Sequence, residues 1–320
     1  MDTRWLAELD GAKITVEVPA TSANLGAGYD CLGLALAMTN TIELEVRVWS
    51  RGEIELVIEG EGDGELTADH DNHFVRGLEA TLRAARGELT EGVGWRVVMH
   101  NRIPLARGLG SSAAATVGGV LAGNALAGEV LTMAELLRLA TDIEGHPDNA
   151  AAALLGGFVV SAAGDVGVEA IRFDAPRDLR AMLFIPDLRL PTDEMRAALP
   201  TLVPLEDAVA NLGAVAVGVA GLATGRYDLL GRLTADRLHE PYRATVYPQL
   251  PRMVAAAREA GALGACLSGA GSTIIAFTDS MAGITRIESA YFAAAADLDL
   301  PGRVLVVEPR NTGGRVVKRG

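Results

Sequence analysis

The residues best equipped for chemistry lie in the segment Pro104-Leu-Ala-Arg-Gly-Leu-Gly-Ser-Ser-Ala-Ala-Ala-Thr116. It follows a short apolar run, Trp95 to Met99, and leads into a run of small residues with helical character. Gly108 and Gly110 let backbone N–H groups approach an anion closely, and Ser111 and Ser112 add hydroxyls. A helix starting there contributes unpaired N–H donors and the positive end of its dipole. These are the requirements of a polyphosphate cradle, whose wall would run through Pro104, Leu105, Ala106, Arg107, Gly108, Leu109, Gly110, Ser111, Ser112, Ala113 and Ala114. A surface turn capped by serine is the plainer reading. Against it stands the helix itself, because Gly118 and Gly119 each weaken it by roughly 1 kcal/mol relative to alanine. Close packing or a bound nucleotide would justify them.

Two nucleotide signatures can be tested on this segment. Gly108-x-Gly110-x-x-Ala113 fits a relaxed dinucleotide fingerprint, which also needs a second strand ending in an acid about twenty residues on. Glu129 lies near that spacing, yet no strand precedes it. The P-loop signature fails, since neither Gly-Lys-Ser nor Gly-Lys-Thr occurs. Two further glycine-rich turns follow the same theme. Pro19-Ala-Thr-Ser-Ala-Asn-Leu-Gly-Ala-Gly-Tyr-Asp-Cys-Leu-Gly-Leu-Ala-Leu36 sets Asn24 and Asp30 in a turn-rich loop between strands, and Leu267-Ser-Gly-Ala-Gly-Ser-Thr-Ile274 is another turn between strands.

The elements that must position these loops are legible from periodicity. Ile14 to Val18, Ile42 to Val48 and Ile54 to Ile58 alternate apolar with polar residues and read as strands. Helices are expected at Phe74 to Ala85, with Asn72 as N-cap and Gly87 as stop, at Ser111 to Leu126, and at Thr132 to Ile143, where Thr132 and Glu135 have capping-box spacing. Asp69-His-Asp-Asn-His73 reads as the N-cap region of the first of these helices rather than a metal site. A polar stretch from Asp165 to Arg180, containing Pro176, marks a division into 1–165 and 166–320. Beyond it come a strand at Ala181 to Ile185, helices at about Glu206 to Ala223 and Tyr247 to Ala260, and strands at Ala265 to Leu267, Thr273 to Phe277 and Arg303 to Glu308. The fold class is α+β.

Composition narrows the partners. A net charge of −13 over 320 residues disfavours nucleic acid and anionic lipid, and no uninterrupted apolar run is long enough to suggest a membrane span. Cys31 and Cys266, each in an apolar stretch, read as buried thiols of a reducing compartment rather than a disulfide framework. Met1 to Asp10 carries four charges and no apolar core, so the expected location is the cytoplasm.

Taken together, in this order and over nearly the whole chain, the three glycine-rich segments resemble the three motifs of the GHMP kinase superfamily. Val18-Pro-Ala-Thr-Ser-Ala-Asn-Leu-Gly, Glu144-Gly-His-Pro-Asp-Asn149, Asp236-Arg-Leu-His-Glu-Pro-Tyr-Arg243 and Leu267-Ser-Gly-Ala-Gly-Ser272 resemble its homoserine kinase branch in particular. The chain departs from that pattern at Ala27, Tyr29 and Ala153, where Pro, Phe and Pro are commoner. The resemblance implies a ribosomal-S5-like N-terminal domain and a ferredoxin-like C-terminal domain. It also implies ATP and Mg²⁺ as co-substrate and ion, phosphorylation of the homoserine hydroxyl, and a homodimer. Ser112 and Glu144 match the metal ligands; Arg196 and Arg243 match arginines suited to a forked hold on the substrate carboxylate. Asn24 would hold the substrate hydroxyl, Asp30 and Asp148 would take the ammonium or orient the hydroxyl, and His146 with Asn149 would line the pocket. Asp30 is the one candidate base near the first motif, but the branch is expected to work by direct attack of the hydroxyl. Two other readings stay open: a kinase of the same superfamily acting on another alcohol, and a non-catalytic nucleotide sensor.

Overall fold

The computed structural model describes Trp5 and residues 8–48, 52–67, 69–87, 93–164 and 167–320. The division expected between 165 and 166 lies outside these residues, as do Met1 to Arg4, Leu6 and Ala7 of the N-terminal segment.

Strands β1 (Lys13–Ala23), β2 (Leu32–Arg47), β3 (Ile54–Gly60), β4 (Gly94–Asn101), β5 (Phe158–Gly164), β6 (Gly167–Phe173) and β11 (Arg315–Arg319) form the first sheet among the described residues. Its main order is β11-β1-β2-β4-β3, with β5 joined to β2 and β6 to β5. The second sheet contains β7 (Arg180–Pro186), β8 (Gly264–Leu267), β9 (Ile274–Thr278) and β10 (Gly302–Val307), ordered β10-β7-β9-β8 and antiparallel throughout. The first sheet thus continues through Phe173, and the chain returns to it at its C-terminal end.

Most expected elements form where periodicity put them. Helix α1 (His73–Arg86) is capped by Asn72, whose side chain accepts from the Phe74 N–H, and α2 spans Ser111–Leu126. Helix α3 (Met133–Glu144) has the Thr132–Glu135 capping box, and α4 (Pro147–Leu155) follows directly. In β7 the side chains alternate between two cores: Ala181, Leu183 and Ile185 pack toward the first sheet's core, Met182 and Phe184 toward α9 (Leu250–Glu259) and α10 (Met281–Asp297). Burial on both faces explains why this strand reads as a continuous apolar run.

The glycine-rich segment from Pro19 to Leu36 differs from its sequence reading. Pro19 to Ala23 and Leu32 to Leu36 belong to β1 and β2, which pair there, and only residues 24–31 turn. Period two is lost because both faces of Pro19 to Ala23 are buried. Asn24, Leu25 and Asp30 have positive φ in that turn.

The glycines of α2 are explained by packing. A Cβ on Gly119 would lie 2.0 Å from the Phe74 carbonyl oxygen, and one on Gly77 would lie 2.4 Å from that of Thr116. The backbones of α1 and α2 are in contact, which fixes the entry of α2 against the sheet. Both cysteines are free thiols, Cys266 buried and Cys31 half-buried.

One helix departs from the composition argument. The sequence lacks an uninterrupted apolar run of spanning length, yet after α5 (Thr192–Ala197), α6 (Leu205–Thr224) has the length and mean hydropathy, 1.5, of a membrane span. Asn211, Gly218, Gly221 and Leu222 nevertheless pack it onto the protein, with Asn211 donating to the Ala27 carbonyl and to Asp236.

Candidate active site

A cleft of about 610 Å³ runs between the two sheets' loop ends. Its floor is the 104–110 loop, where Ala106, Gly108 and Gly110 all have positive φ. Backbone bonds hold this loop from two sides: the Thr21 N–H donates to the Leu109 carbonyl, and the Thr273 N–H to that of Arg107. The Ser268 hydroxyl donates to the Gly108 carbonyl at 2.7 Å and lies 2.8 Å from the Ser22 hydroxyl. The N-cap of α2 is Gly110, and no side chain caps the helix. The serine-capped turn is therefore not what forms; the first-turn N–H groups are left for another acceptor, with the helix dipole behind them.

The fit around the loop is tight enough to make a prediction. A Cβ on Gly108 would stand 2.0 Å from the Ser268 carbonyl oxygen and 2.8 Å from the Gly271 nitrogen, both backbone atoms, at φ +69°. Gly108→Ala should therefore displace the loop and raise the KM for nucleotide at least tenfold, an amount equivalent to about 1.4 kcal/mol, with a smaller effect on the KM of the second substrate. Initial-rate kinetics on both substrates would check it.

Glu144, the last residue of α3, sits beside the first turns of α2 with its side chain only 3% exposed. Ser112 donates to its Oε2 at 2.7 Å, Thr116 to its Oε1 at 2.5 Å, and His73 Nδ1 lies 3.0 Å from Oε1. Burial alone would raise the carboxyl pKa, but the bonds from His73, Thr116 and Ser112 outweigh it and hold the group below the usual range. The expected pairing of Ser112 with Glu144 is thus brought together. His73 and Thr116 were not expected to serve it. His73 lies in the capping region of α1, and its role follows only from the α1–α2 contact.

At the other end of the cleft, Arg243 is 1% exposed, on the short helix α8 (Glu240–Arg243), which follows α7 (Leu230–Leu233). Its Nε donates to the Met195 carbonyl at 3.3 Å, and Nη1 to the Gly269 carbonyl at 2.9 Å, with His239 Nδ1 at 3.1 Å. Nη2 has no protein hydrogen-bond partner among the described residues. His239 is fully buried, with Nε2 2.8 Å from the Gly26 carbonyl, and burial pushes its pKa well down. It is a neutral imidazole with both nitrogens used, donating to Gly26 and accepting from Arg243. Asp236 anchors the segment by accepting from the N–H groups of Leu238, His239 and Glu240. The sequence motif contained all these residues, but only Arg243 was given a task.

Asp148 is 2% exposed; its Oδ1 accepts from the Asn149 N–H at 2.7 Å and lies 2.9 Å from His146 Nδ1. Burial would lower the His146 pKa, but the Asp148 bond and charge raise it overall. Asp148 Oδ2 has no protein hydrogen bond among the described residues. Asn149 is turned the other way and accepts from the Thr21 hydroxyl at 2.7 Å.

Three of the residues expected at the substrate already have partners within the protein. Arg196, expected to hold the substrate carboxylate, lines the cleft and is forked onto Asp30, with Nη2 to Oδ1 2.7 Å and Nη1 to Oδ2 3.1 Å, and also donates to the Tyr29 hydroxyl. Asp30 is correspondingly held by Arg196 at the cleft wall. Asn24 lines the cleft but donates to the Gly269 carbonyl and accepts from the Asp30 N–H, so it joins the two glycine-rich turns. Tyr29, noted as a departure from Phe, uses its hydroxyl on Arg196, and its ring centroid lies 5.5 Å from the Arg243 Cζ.

Among the described residues no group of three or more His, Cys, Asp or Glu side chains could enclose a metal. An ion that draws most ligands from phosphate and water needs fewer. Ser112 and Glu144, a hydroxyl and a carboxylate oxygen 2.7 Å apart at the mouth of the phosphate loop, fit that requirement.

Residues 72–157 match the GHMP kinases N terminal domain and residues 205–295 the GHMP kinases C terminal domain. The homoserine kinase of Moorella thermoacetica is 43% identical over 302 residues, covering 94% of this chain and 99% of that one. The crystal structure of homoserine kinase from Cytophaga hutchinsonii superposes with a TM-score of 0.84 at 31% identity, covering 95% of this chain and 97% of that one. The L. major mevalonate kinase in complex with R-mevalonate shares the fold, with a TM-score of 0.66 at 17% identity over 92% of this chain and 95% of that one. With the two-domain architecture, the uncapped phosphate-loop helix and the Asp236–Arg243 segment in place, the chain belongs to the homoserine kinases of the GHMP kinase family.

Proposed function

We propose that this cleft transfers the γ-phosphoryl group of ATP to the side-chain hydroxyl of L-homoserine, giving O-phospho-L-homoserine and ADP, and that the chain works as a homodimer. The observation that carries the reading is the shared cleft itself. It has anion-binding backbone and a Ser112–Glu144 oxygen pair at one end, and a buried cation, Arg243, with a buried carboxylate, Asp148, at the other.

The phosphates rest on the N–H groups of Gly108 to Ala113, and the nucleoside extends past His73 toward Thr67, Asn72 and Asn101. Ser112 and Glu144 would hold Mg²⁺, which when bound would supply neutralisation of charge on the transferring phosphate. Arg243 Nη2 takes the homoserine carboxylate, and Asp148 Oδ2 takes its ammonium. Together they aim the side chain along the cleft, and positioning is most of what phosphoryl transfer asks of a protein. Arg196 and Asp30 act as a joined pair that shapes this end of the pocket. The hydroxyl attacks directly and its proton passes to a phosphate oxygen or to solvent, so no side chain serves as base.

Asp30→Asn tests that point. It weakens the fork to Arg196 and should raise the homoserine KM several-fold, while kcat at saturation stays within about tenfold, below the 10²–10⁴ effect of removing a general base. A loss of kcat beyond that with KM unchanged would make Asp30 the base. The reaction itself is tested by phosphorus NMR of ATP, Mg²⁺, L-homoserine and the enzyme, in which the phosphomonoester signal must appear and must vanish with EDTA.

A further inference from the structure

One turn before Arg243 on α8 stands Glu240, an acid that lies outside the cleft lining. Its Oε1 accepts from the Leu267 N–H at 2.6 Å. Leu267 ends β8, and the glycine-rich turn begins with the next residue. Arg243 donates to the Gly269 carbonyl at 2.9 Å. Two side chains of one short helix therefore hold the two ends of the segment Leu267–Gly269.

The middle of that segment is seated on the phosphate loop. The Ser268 hydroxyl donates to the Gly108 carbonyl at 2.7 Å, and a Cβ on Gly108 would stand 2.0 Å from the Ser268 carbonyl oxygen. Gly269 is tied to the first motif as well, its N–H donating to the Ala23 carbonyl and its own carbonyl accepting from Asn24. A displacement of Leu267 thus reaches Gly108 through a single residue, and reaches Arg243 through Gly269.

Charged and titratable groups face Glu240 from every side: Asp236 ahead of α8, Arg243 on it, Arg258 of α9 and the Cys266 thiol of β8. Arg258 is occupied by the carbonyls of Thr234 and Ala265, each at 2.7 Å. Burial, helped by the Asp236 charge, outweighs the Leu267 bond and the two arginines and pushes the Glu240 carboxyl up to about 7. Burying an ionisable group costs stability, so packing alone does not account for an acid at this place. Below that pKa the side chain is an uncharged acceptor, which glutamine reproduces in shape and charge.

We infer that Glu240 is a positioning residue that ties the amino-acid site to the phosphate loop through Leu267–Gly269, an inference that rests on the reaction proposed above. Calorimetric titration with MgADP and initial rates with homoserine test it, both at about pH 6, where the carboxyl is uncharged. Glu240→Ala should raise the MgADP Kd and the homoserine KM together, each at least about threefold, as expected for one neutral hydrogen bond. Glu240→Gln, which keeps an acceptor for Leu267, should return both to within about twofold of wild type. In a cycle with Ser268→Ala, the double variant's MgADP Kd should fall at least about twofold short of the product of the two single effects, since the second change acts through a contact already lost. If Glu240→Ala gives no cooperative melt, Glu240→Asp, one methylene short of the Leu267 N–H, replaces it in each comparison. A lowered melting temperature with both constants unmoved, a Glu240→Gln variant as impaired as Glu240→Ala, or effects that multiply fully would each overturn the inference and leave Glu240 a purely structural residue. Wild-type protein that binds MgADP but does not turn over homoserine would overturn the proposed reaction alone, and the MgADP cycle decides the link to the phosphate loop either way.

Discussion

Glu144→Gln should lower kcat by roughly two to three orders of magnitude and raise the Mg²⁺ concentration needed for half-maximal rate. The substitution preserves volume, and the glutamine oxygen can still accept one of the bonds that Ser112, Thr116 and His73 now direct at two carboxylate oxygens. What it removes is the negative charge of a buried carboxylate that faces the phosphate-loop helix. It also turns an NH₂ group toward hydroxyls that were donating, so Ser112 must rotate. A magnesium-dependence curve separates this from simple misfolding: the variant should keep a cooperative melt and gain rate as Mg²⁺ rises. A rate within threefold of wild type at every Mg²⁺ concentration would remove Glu144 from the metal site.

Arg243→Lys should raise the KM for homoserine between ten- and a hundredfold, leave the KM for ATP within threefold, and lower kcat less than KM rises. The charge is kept, but a lysine ammonium cannot reproduce the fork that reaches the Met195 and Gly269 carbonyls and His239 while offering a further nitrogen to the cleft. Charge-assisted hydrogen bonds contribute about 1.5–3 kcal/mol each, which corresponds to that range of KM at 1.4 kcal/mol per decade. Some thermal stability should be lost as well, because His239 is buried and would lose its donor. Equal effects on both KM values would mean that Arg243 supports the cleft as a whole and does not read the amino acid.

The phosphate half of this site was legible in the sequence because it is built from backbone. Gly108 and Gly110 matter for their φ and missing Cβ, and the helix that follows supplies the dipole, so residue type and spacing suffice to find it. The partnership of Ser112 with Glu144 was carried by the resemblance. The further support from His73 and Thr116 was hidden, because it depends on how closely α1 crosses α2. The amino-acid half was less legible because it consists of long charged side chains whose partners lie far away in sequence. Arg196 and Asp30 were assigned separately to the substrate, yet they are 166 positions apart and bind each other. His239 gave no signal of its own, since a buried neutral imidazole relaying a carbonyl to a guanidinium looks, in sequence, like any loop histidine. Helix α6 was readable as helical, but its apolar residues do not say in sequence that Leu205, Val209 and Leu212 are exposed.

The central claim is that one cleft joins a polyphosphate site to a site for an amino acid bearing a hydroxyl. The most direct test is coupled ADP release with Mg²⁺ and ATP, comparing L-homoserine with D-homoserine, L-threonine, L-serine, mevalonate and shikimate at equal concentration. Strong turnover confined to L-homoserine is the predicted result. Equal or faster turnover of mevalonate or shikimate, which lack the ammonium group that Asp148 would hold, or ATP binding without turnover of any alcohol, would contradict it.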